Sequence, residues 1–237
     1  MSSEAVQFEM RDAVAWIRLD DGKANALSPG VIEALGSALD RAEKEGAKAL
    51  VWAGRPGRFS AGFELSIMTQ GPEAAMDLAL SGADLAVRLY SAPFPVVLAV
   101  TGHALAMGAV LCCAADLRVG AEGDFKVGLN EVAIGMTLPR FALEFAQARL
   151  SRRHLTRATV LAEIYDPAGA CDAGYLDRVV PAEACVDEAL ALAAGLAEGL
   201  NGRAQAGTKR ALREETLDRL RQSVSDDRAA LARRGEA

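Results

Sequence analysis

The sequence predicts an α/β fold in which strands and helices alternate before the chain ends in a helical region. Three observations lead to this prediction. Apolar runs rich in β-branched residues alternate with longer runs that have helical spacing. The run Val96–Val100 is apolar throughout, as is typical of a strand buried on both faces. From Pro139 onward, alanine, leucine, arginine and glutamate dominate and only short breaks interrupt the helical spacing.

The first elements follow from local signals. Residues 6–10 and 13–19 are predicted as two strands joined by the polar turn Arg11-Asp12. A loop follows, and then a helix from Pro29 to about residue 44, since Ser28 is a good N-cap and proline suits the first helical position. Residues 47–53 are predicted as a strand, and the segment GRPGRFSAG after it as a loop. A second helix is predicted over residues 72–90, with prolines closing it before the next strand.

Residues 96–115 form a stretch of twenty residues without a formal charge, which is about the length of a membrane span. The polar, turn-forming sequence Thr101-Gly102-His103 interrupts it. We therefore predict a strand, a turn and a buried helix here, followed by a short strand in DLRVG.

The C-terminal part is predicted to be helical, with three breaks. They fall at Asp166-Pro167 with Gly169 and Gly174, at Val179-Val180-Pro181, and at Gly202 with Gly207. We expect a core over residues 1–181 that carries the site, and a C-terminal helical region over residues 182–237. The apolar faces of these helices are expected to pack on the core or on a neighbouring subunit.

Composition excludes several classes of protein. The 237 residues are 51% hydrophobic and 24% charged, so one sizeable core can be buried. A net charge of −6, without basic runs and interleaved aromatic residues, argues against nucleic-acid and anionic-membrane partners. Four cysteines without a C-x-x-C spacing, and an N-terminus without a secretory pattern, predict a reduced, cytoplasmic protein. His103 and His154 have no partners at metal-ligand spacing, so no metal is expected.

Glu131 is the candidate for proton transfer. It is the only charged residue between Val127 and Pro139. Burying a carboxylate without a partner costs several kcal/mol and raises its pKa, which makes it a competent proton shuttle near neutral pH. The alternative is a glutamate at a strand end or turn that is satisfied by backbone N–H groups.

Two other segments are suited to presenting backbone donors. In RFSAGFEL, a glycine directly precedes Phe63, so the chain can turn tightly and leave an N–H free. In HALAMGAVL, Met107 lies at the expected start of the buried helix, where the first N–H groups have no partner within the helix. Two such donors can stabilise an oxyanion by roughly 3–4 kcal/mol each. Close packing of small residues is the alternative reading of either segment.

Taken together and in order, these segments resemble the crotonase superfamily, the enoyl-CoA hydratase/isomerase family. The resemblance covers nearly the whole chain, through KANALS, FSAGFEL, HALAMGA followed by CAADLRVG, FKVGLNEVAIG and AGYLDRVVP. It implies a spiral of ββα turns, a C-terminal helical trimerisation region, and a homotrimer or dimer of trimers. It also implies acyl-CoA substrates, with coenzyme A as part of the substrate and no separate cofactor.

The resemblance also assigns roles to residues. It implies that the thioester oxygen lies between the N–H groups of Phe63 and Met107, with Gly108 beside the second. The coenzyme A-contacting loops fall on Lys23, Ala24, Ala61 and Leu65, together with Phe63.

Two departures from the family pattern bear on the reaction. Many hydratases have glycine where Met107 stands, and they carry a glutamate where this chain has Val110. Only the second of their two acids remains, as Glu131, and the local string GLNE looks more like the double-bond isomerases of the family. We therefore favour conversion of 3-enoyl-CoA to 2-enoyl-CoA with Glu131 as single base. Hydration of 2-enoyl-CoA and non-catalytic acyl-CoA binding stay open as alternatives.

Several residues are predicted to have structural roles only. His103 is expected to be a satisfied loop histidine, and Cys112 and Cys113 to act as small apolar side chains. Asp116 is expected to cap the buried helix or to pair with Arg118. If a second acid exists, Glu144 in the following helix is the first place to look.

Overall fold

A six-stranded sheet lies at the centre of the structure. The structure is a computed structural model that describes the backbone of residues 5–235 and the side chains of residues 5–229. Its order is β1-β2-β3-β5-β7-β9, with an antiparallel hairpin β1-β2 and parallel pairing elsewhere. The strands are β1 (Val6–Arg11), β2 (Val14–Leu19), β3 (Ala49–Ala53), β5 (Val96–Val100), β7 (Leu117–Ala121) and β9 (Arg178–Val180). The strands predicted near residues 6–10, 13–19, 47–53 and 96–100 are all present.

A second, three-stranded parallel sheet is made of β4 (Gly57–Ser60), β6 (Gly102–Leu105) and β8 (Val127–Gly128). Each of the pairs β3-β4, β5-β6 and β7-β8 begins in the large sheet and ends in the small one, which produces the expected spiral of ββα turns. The small sheet corrects two predictions, because GRPGRFSAG was expected to be a loop and Thr101-Gly102-His103 a turn. Gly102 is there for close strand approach: a Cβ on it would lie 2.0 Å from the carbonyl carbon of Gly57.

Nine helices are found among residues 5–235. They are α1 (Pro29–Lys44), α2 (Leu65–Met68), α3 (Pro72–Ser91), α4 (Met107–Ala114), α5 (Arg140–Arg149), α6 (Arg152–Thr159), α7 (Pro167–Ala173), α8 (Cys185–Gly199) and α9 (Gly202–Gly235). The Ser28 hydroxyl caps α1 by accepting from the N–H of Val31, as predicted. The predicted break at Gly202 is present, because α8 ends at Gly199 and α9 begins at Gly202, but Gly207 lies inside α9 and marks no break.

The long uncharged stretch is divided among β5, β6 and α4, in agreement with the prediction of strand and buried helix. No helix in the described part of the chain is long and apolar enough to cross a membrane. One face of the large sheet packs against α8, through Cys185, Ala189, Ala193 and Ala197. The larger apolar core forms on the other side, and it includes all eight residues of α4 except its one glycine.

Helix α9 is attached to the core by a buried ion cluster. Lys209 and Arg213 are nearly buried, and both reach the carboxylate of Asp116, at 2.6 and 2.7 Å. The pairing of Asp116 with Arg118 predicted from the sequence is therefore wrong. Arg118 pairs instead with Asp177, at 3.1 Å. Two buried cations without a counterion would be costly. The carboxylate of Asp116 therefore stabilises the protein more by pairing with Lys209 and Arg213 than it would by capping a helix.

Candidate active site

An apolar cavity of about 180 Å³ lies between α2, α3, α4 and the segment around residues 131–142. Four of the residues that the motifs single out line it together: Phe63, Met107, Val110 and Glu131. A larger and more open groove of about 390 Å³ lies between β1 and α1, but none of these four residues lines it. The candidate site is therefore the smaller cavity.

Glu131 is the only acidic or basic residue among those that line this cavity. It precedes a short 3₁₀ turn (Val132–Ile134) and is 9% exposed. Among the described residues, its buried Oε2 atom has no hydrogen-bond partner. Burial raises the pKa of this carboxyl group, and a hydrogen bond to its own backbone lowers the pKa by less. The geometry thus disfavours the reading of Glu131 as a fully satisfied structural glutamate.

Val110 faces the same cavity from α4 and is 2% exposed. The position at which the family pattern carries a second acid is therefore inside the site and apolar. Glu144 does not replace that acid, since its carboxylate pairs with Arg219 at 2.8 Å and lines a different groove. Glu131 thus supplies the one carboxylate found in the cavity within the part of the chain that the structure describes.

The two donor loops are in contact at Gly62. This glycine has a φ of +93°, and a Cβ on it would lie 2.8 Å from the Cβ of Ala106 and 3.2 Å from the nitrogen of Met107. Leu27 runs alongside the loop, where it pairs with Phe63. Within residues 5–235, the N–H groups of Phe63 and Met107 donate no hydrogen bond, so both are free for a ligand oxygen.

Ala106 directs the second donor. It is the N-cap of α4 and has φ +50° and ψ −121°, a combination that is strained for alanine. Its own N–H donates to the carbonyl oxygen of Gly128 at 3.0 Å, which ties the turn to the segment that leads to Glu131. The strained residue directly precedes Met107, whose N–H lies at the positive end of the helix dipole.

A buried polar network under the first donor loop was missed by the sequence reasoning. Asn25 is fully buried with φ +53°, and its amide donates to the carbonyl oxygens of Leu19 and Arg58. The hydroxyl of Ser60 donates to the Asn25 carbonyl oxygen at 2.9 Å and accepts from the N–H of Gly62 at 3.2 Å. The signal for Asn25 is its residue type, because asparagine tolerates a positive φ better than most residues do.

The residues expected to contact coenzyme A lie on loops next to Phe63 and do not line the cavity. The N–H of Ala61 donates to the carbonyl oxygen of Ala24 at 3.1 Å, so the two loops run side by side. Arg55 donates to the carbonyl oxygen of Lys23 at 2.7 Å and also reaches Asp20. Lys23 and Leu65 are exposed, and neither they nor the two alanines line the cavity. Gly108 packs on Ser60, where a Cβ would lie 2.5 Å from the Ser60 carbonyl oxygen.

The remaining candidates lie outside the cavity. The Nδ1 atom of His103 accepts from the N–H of Lys126 at 3.0 Å, and burial lowers the pKa of this histidine. Cys112 and Cys113 are buried in α4, and burial raises the pKa of Cys113 to about 12, so both act as apolar side chains. No three histidine, cysteine, aspartate or glutamate side chains of the described residues converge in a metal-binding arrangement.

Comparison with known proteins identifies the family. A family model described as enoyl-CoA hydratase/isomerase matches residues 9–233. An enoyl-CoA hydratase/isomerase family protein from Pseudomonas syringae is 43% identical, with a TM-score of 0.94 over 98% of this chain and 100% of that one. A Mycobacterium tuberculosis protein, described as an enoyl-CoA isomerase with one structure and as a probable enoyl-CoA hydratase with another, is 41% identical, with a TM-score of 0.91 over 96% of this chain and 99% of that one in the first. A probable enoyl-CoA hydratase from Bacillus subtilis is 36% identical over 58% of this chain and 54% of its own length, so this chain spans about half of that relative. The chain therefore belongs to the enoyl-CoA hydratase/isomerase family.

Proposed function

We propose that this enzyme converts 3-enoyl-CoA to 2-enoyl-CoA, with Glu131 as its single base. One observation carries the proposal: among the described residues, the cavity that brings together Phe63, Met107 and Val110 is lined by one carboxylate and no other titratable group. Double-bond isomerisation needs one base that reaches two carbons, whereas hydration needs water to be deprotonated and C2 to be protonated.

In the proposed reaction, the Glu131 carboxylate removes a proton from C2 of the 3-enoyl thioester. The electron pair moves into a dienolate whose oxygen accepts hydrogen bonds from the N–H groups of Phe63 and Met107. The carboxylic acid formed at Glu131 then returns the proton to C4, which leaves a double bond between C2 and C3 and regenerates the base. The raised pKa of Glu131 supports this role, because a carboxyl group poised nearer to neutral pH both takes and returns a proton readily.

Hydration of 2-enoyl-CoA is the second candidate, since relatives of this chain are named both as isomerase and as hydratase. With Glu131 alone, hydration lacks one general acid, a group that typically contributes 10²–10⁴-fold to the rate. We therefore propose that any hydration by this enzyme is slower, by about that factor, than hydration in a site that has both acids.

The test compares both reactions in the same preparation. Isomerisation of 3-hexenoyl-CoA is followed by the ultraviolet absorbance of the conjugated product, and hydration of crotonyl-CoA by the loss of that absorbance. Glu131→Gln keeps the side-chain shape but cannot accept the proton, so we expect isomerisation to fall by about 10²–10⁴-fold while acyl-CoA binding persists.

Glu64→Gln is the matched control. Glu64 lies next to Phe63, but its carboxylate accepts from the exposed Ser66 hydroxyl at 2.8 Å and does not line the cavity. It should therefore leave the isomerisation rate unchanged. Crotonyl-CoA hydration faster than isomerisation in the wild type would replace the proposal with the hydratase function. Acyl-CoA binding without either reaction, and without solvent deuterium exchange at C2, would replace it with a binding function.

We also propose that the enzyme assembles as a trimer or a dimer of trimers. Large apolar side chains are exposed on the C-terminal half of the chain, at Val160, Leu161, Leu200 and Leu212, with exposed fractions of 44–82%. Light scattering at micromolar concentration tests this proposal, and a stable monomer would contradict it.

A further inference from the structure

Four of the six methionines of the chain line the candidate site: Met68, Met76, Met107 and Met136. They come from four separate places, namely the end of α2, the first part of α3, the first residue of α4 and the segment after the 3₁₀ turn. The buried apolar residues of the described chain are mostly alanine, leucine and valine, and the only methionine among them is Met107, which itself lines the cavity. Methionine is thus concentrated at one cavity.

The physical properties of methionine give this concentration a consequence. Methionine is unbranched and has three rotatable side-chain bonds, so a wall made of it changes shape at little cost. Leucine, isoleucine or valine in the same places would fix the wall, since branching restricts the rotamers. Met136 is 40% exposed, and Met68 and Met76 are partly exposed, so all three side chains have solvent into which they can turn.

The volume of the cavity determines how many acyl carbon atoms fit before any side chain moves. A dry apolar cavity of about 150 Å³ holds one benzene molecule, which has six carbon atoms. A cavity of about 180 Å³ therefore holds roughly seven carbon atoms before any side chain moves. Because Glu131 lines this same cavity, the reacting carbons of a substrate occupy part of that volume.

We propose that this is an expandable acyl pocket, which fits medium-length acyl chains in its resting shape and accepts longer ones by outward rotation of Met68, Met76 and Met136. The inference rests on the proposed function, since it assigns the acyl part of the substrate to the cavity of Glu131. The substrate class is straight-chain enoyl-CoA with an optimum at the hexenoyl to octenoyl length and a shallow decline beyond it.

The experiment measures kcat/KM for a series of 3-enoyl-CoA substrates from butenoyl to dodecenoyl. In the wild type we expect the optimum at hexenoyl or octenoyl, and a decline of less than about tenfold at dodecenoyl. In the double variant Met76→Ile, Met136→Ile, the branched walls should raise the hexenoyl-to-dodecenoyl ratio by about tenfold or more, which corresponds to about 1.4 kcal/mol. Met10→Ile, the same substitution in β1 away from the cavity, is the matched control and should not change this ratio.

A binding arm separates this inference from the proposed function. Titration calorimetry with butanoyl-, octanoyl- and dodecanoyl-CoA needs no turnover, and the same change in length preference should appear in the dissociation constants. If isomerisation is absent but the binding preference shifts in the double variant, the proposed function fails and the pocket inference stands. If isomerisation is present but butenoyl-CoA is best, or the double variant keeps the wild-type ratio, the pocket inference is wrong and the proposed function stands.

Discussion

Substitution of Val110 by glutamate tests the one-base site most directly. Val110 is 2% exposed and faces the cavity that contains Glu131, so a glutamate there puts a second carboxyl group into the same apolar space. Two like charges in such a space disfavour double ionisation, and one of the two groups should therefore stay protonated near neutral pH. The protonated group supplies the general acid that hydration lacks in the wild type.

The magnitude follows from the contribution of one general acid. A positioned acid contributes about 10²–10⁴-fold, or about 2.7–5.5 kcal/mol of barrier. We expect Val110→Glu to raise the ratio of crotonyl-CoA hydration to 3-hexenoyl-CoA isomerisation by up to this factor. The substitution should also lower the free energy of unfolding by about 1–3 kcal/mol, since it buries a polar group in place of an apolar one.

Val110→Gln is the control, since it has nearly the same size and polarity as glutamate but donates no acidic proton. Both reactions are followed by absorbance on one enzyme stock, and folding is checked by urea unfolding. An equal rise of the ratio in Val110→Gln would show that polarity or space, and not an acid, had been missing. Wild-type hydration of crotonyl-CoA at about 10³ s⁻¹, the fast end of typical turnover, would refute the one-base reasoning outright.

Three further outcomes follow from the structure. Because burial raises the pKa of Glu131, the native state holds this proton to higher pH than the unfolded chain does. The free energy of unfolding therefore falls as pH rises between the two pKa values. In urea unfolding, Glu131→Gln should be more stable than wild type at pH 7, and this advantage should vanish near pH 4. Ala106→Gly relieves about 1–3 kcal/mol of backbone strain and adds a glycine entropy cost of about 0.5–1 kcal/mol. The melting temperature should therefore stay level or rise while kcat falls. A clear loss of stability would contradict the strain at Ala106. Asp116→Ala leaves Lys209 and Arg213 buried without a counterion and should lower the free energy of unfolding by about 3–5 kcal/mol. Breaking the exposed ion pair of Asp218 should lower it by under about 1 kcal/mol. Equal effects in urea unfolding would contradict the buried cluster.

Most of the large sheet was predictable because its strands carry their own signals, but β9 was not, since Val179-Val180-Pro181 was expected to be only a break between helices. The β3 and β5 segments are apolar and β-branched enough to be identified without knowledge of their partners. The strands of the small sheet, β4, β6 and β8, have only two to four residues each. Their strand state comes from pairing with segments 23 to 45 residues away, which no local window contains.

Local patterns foresaw the burial of Glu131 but not the pairing of other charges. The apolar run around Glu131 is itself evidence of its environment, whatever the fold. The partners of Asp116 are 93 and 97 residues away in α9, and a near neighbour such as Arg118 is the only partner that spacing can suggest. The same limit applies to the cavity methionines, which only the fold brings together.

Glu131 differs from the other buried charged side chains in having no partner of opposite charge. Among the described residues, four lysine, arginine or glutamate side chains are buried: Arg118, Glu131, Lys209 and Arg213. The three cations all have carboxylate partners, at 2.6–3.1 Å. Glu131 has none, although an unpaired buried charge is costly. A packing defect would be expected to affect any of the four, but the unpaired group is the one in the cavity that Phe63 and Met107 also line. In the proposed reaction this unpaired carboxylate is the base, so Glu131→Gln should raise stability and lower turnover together.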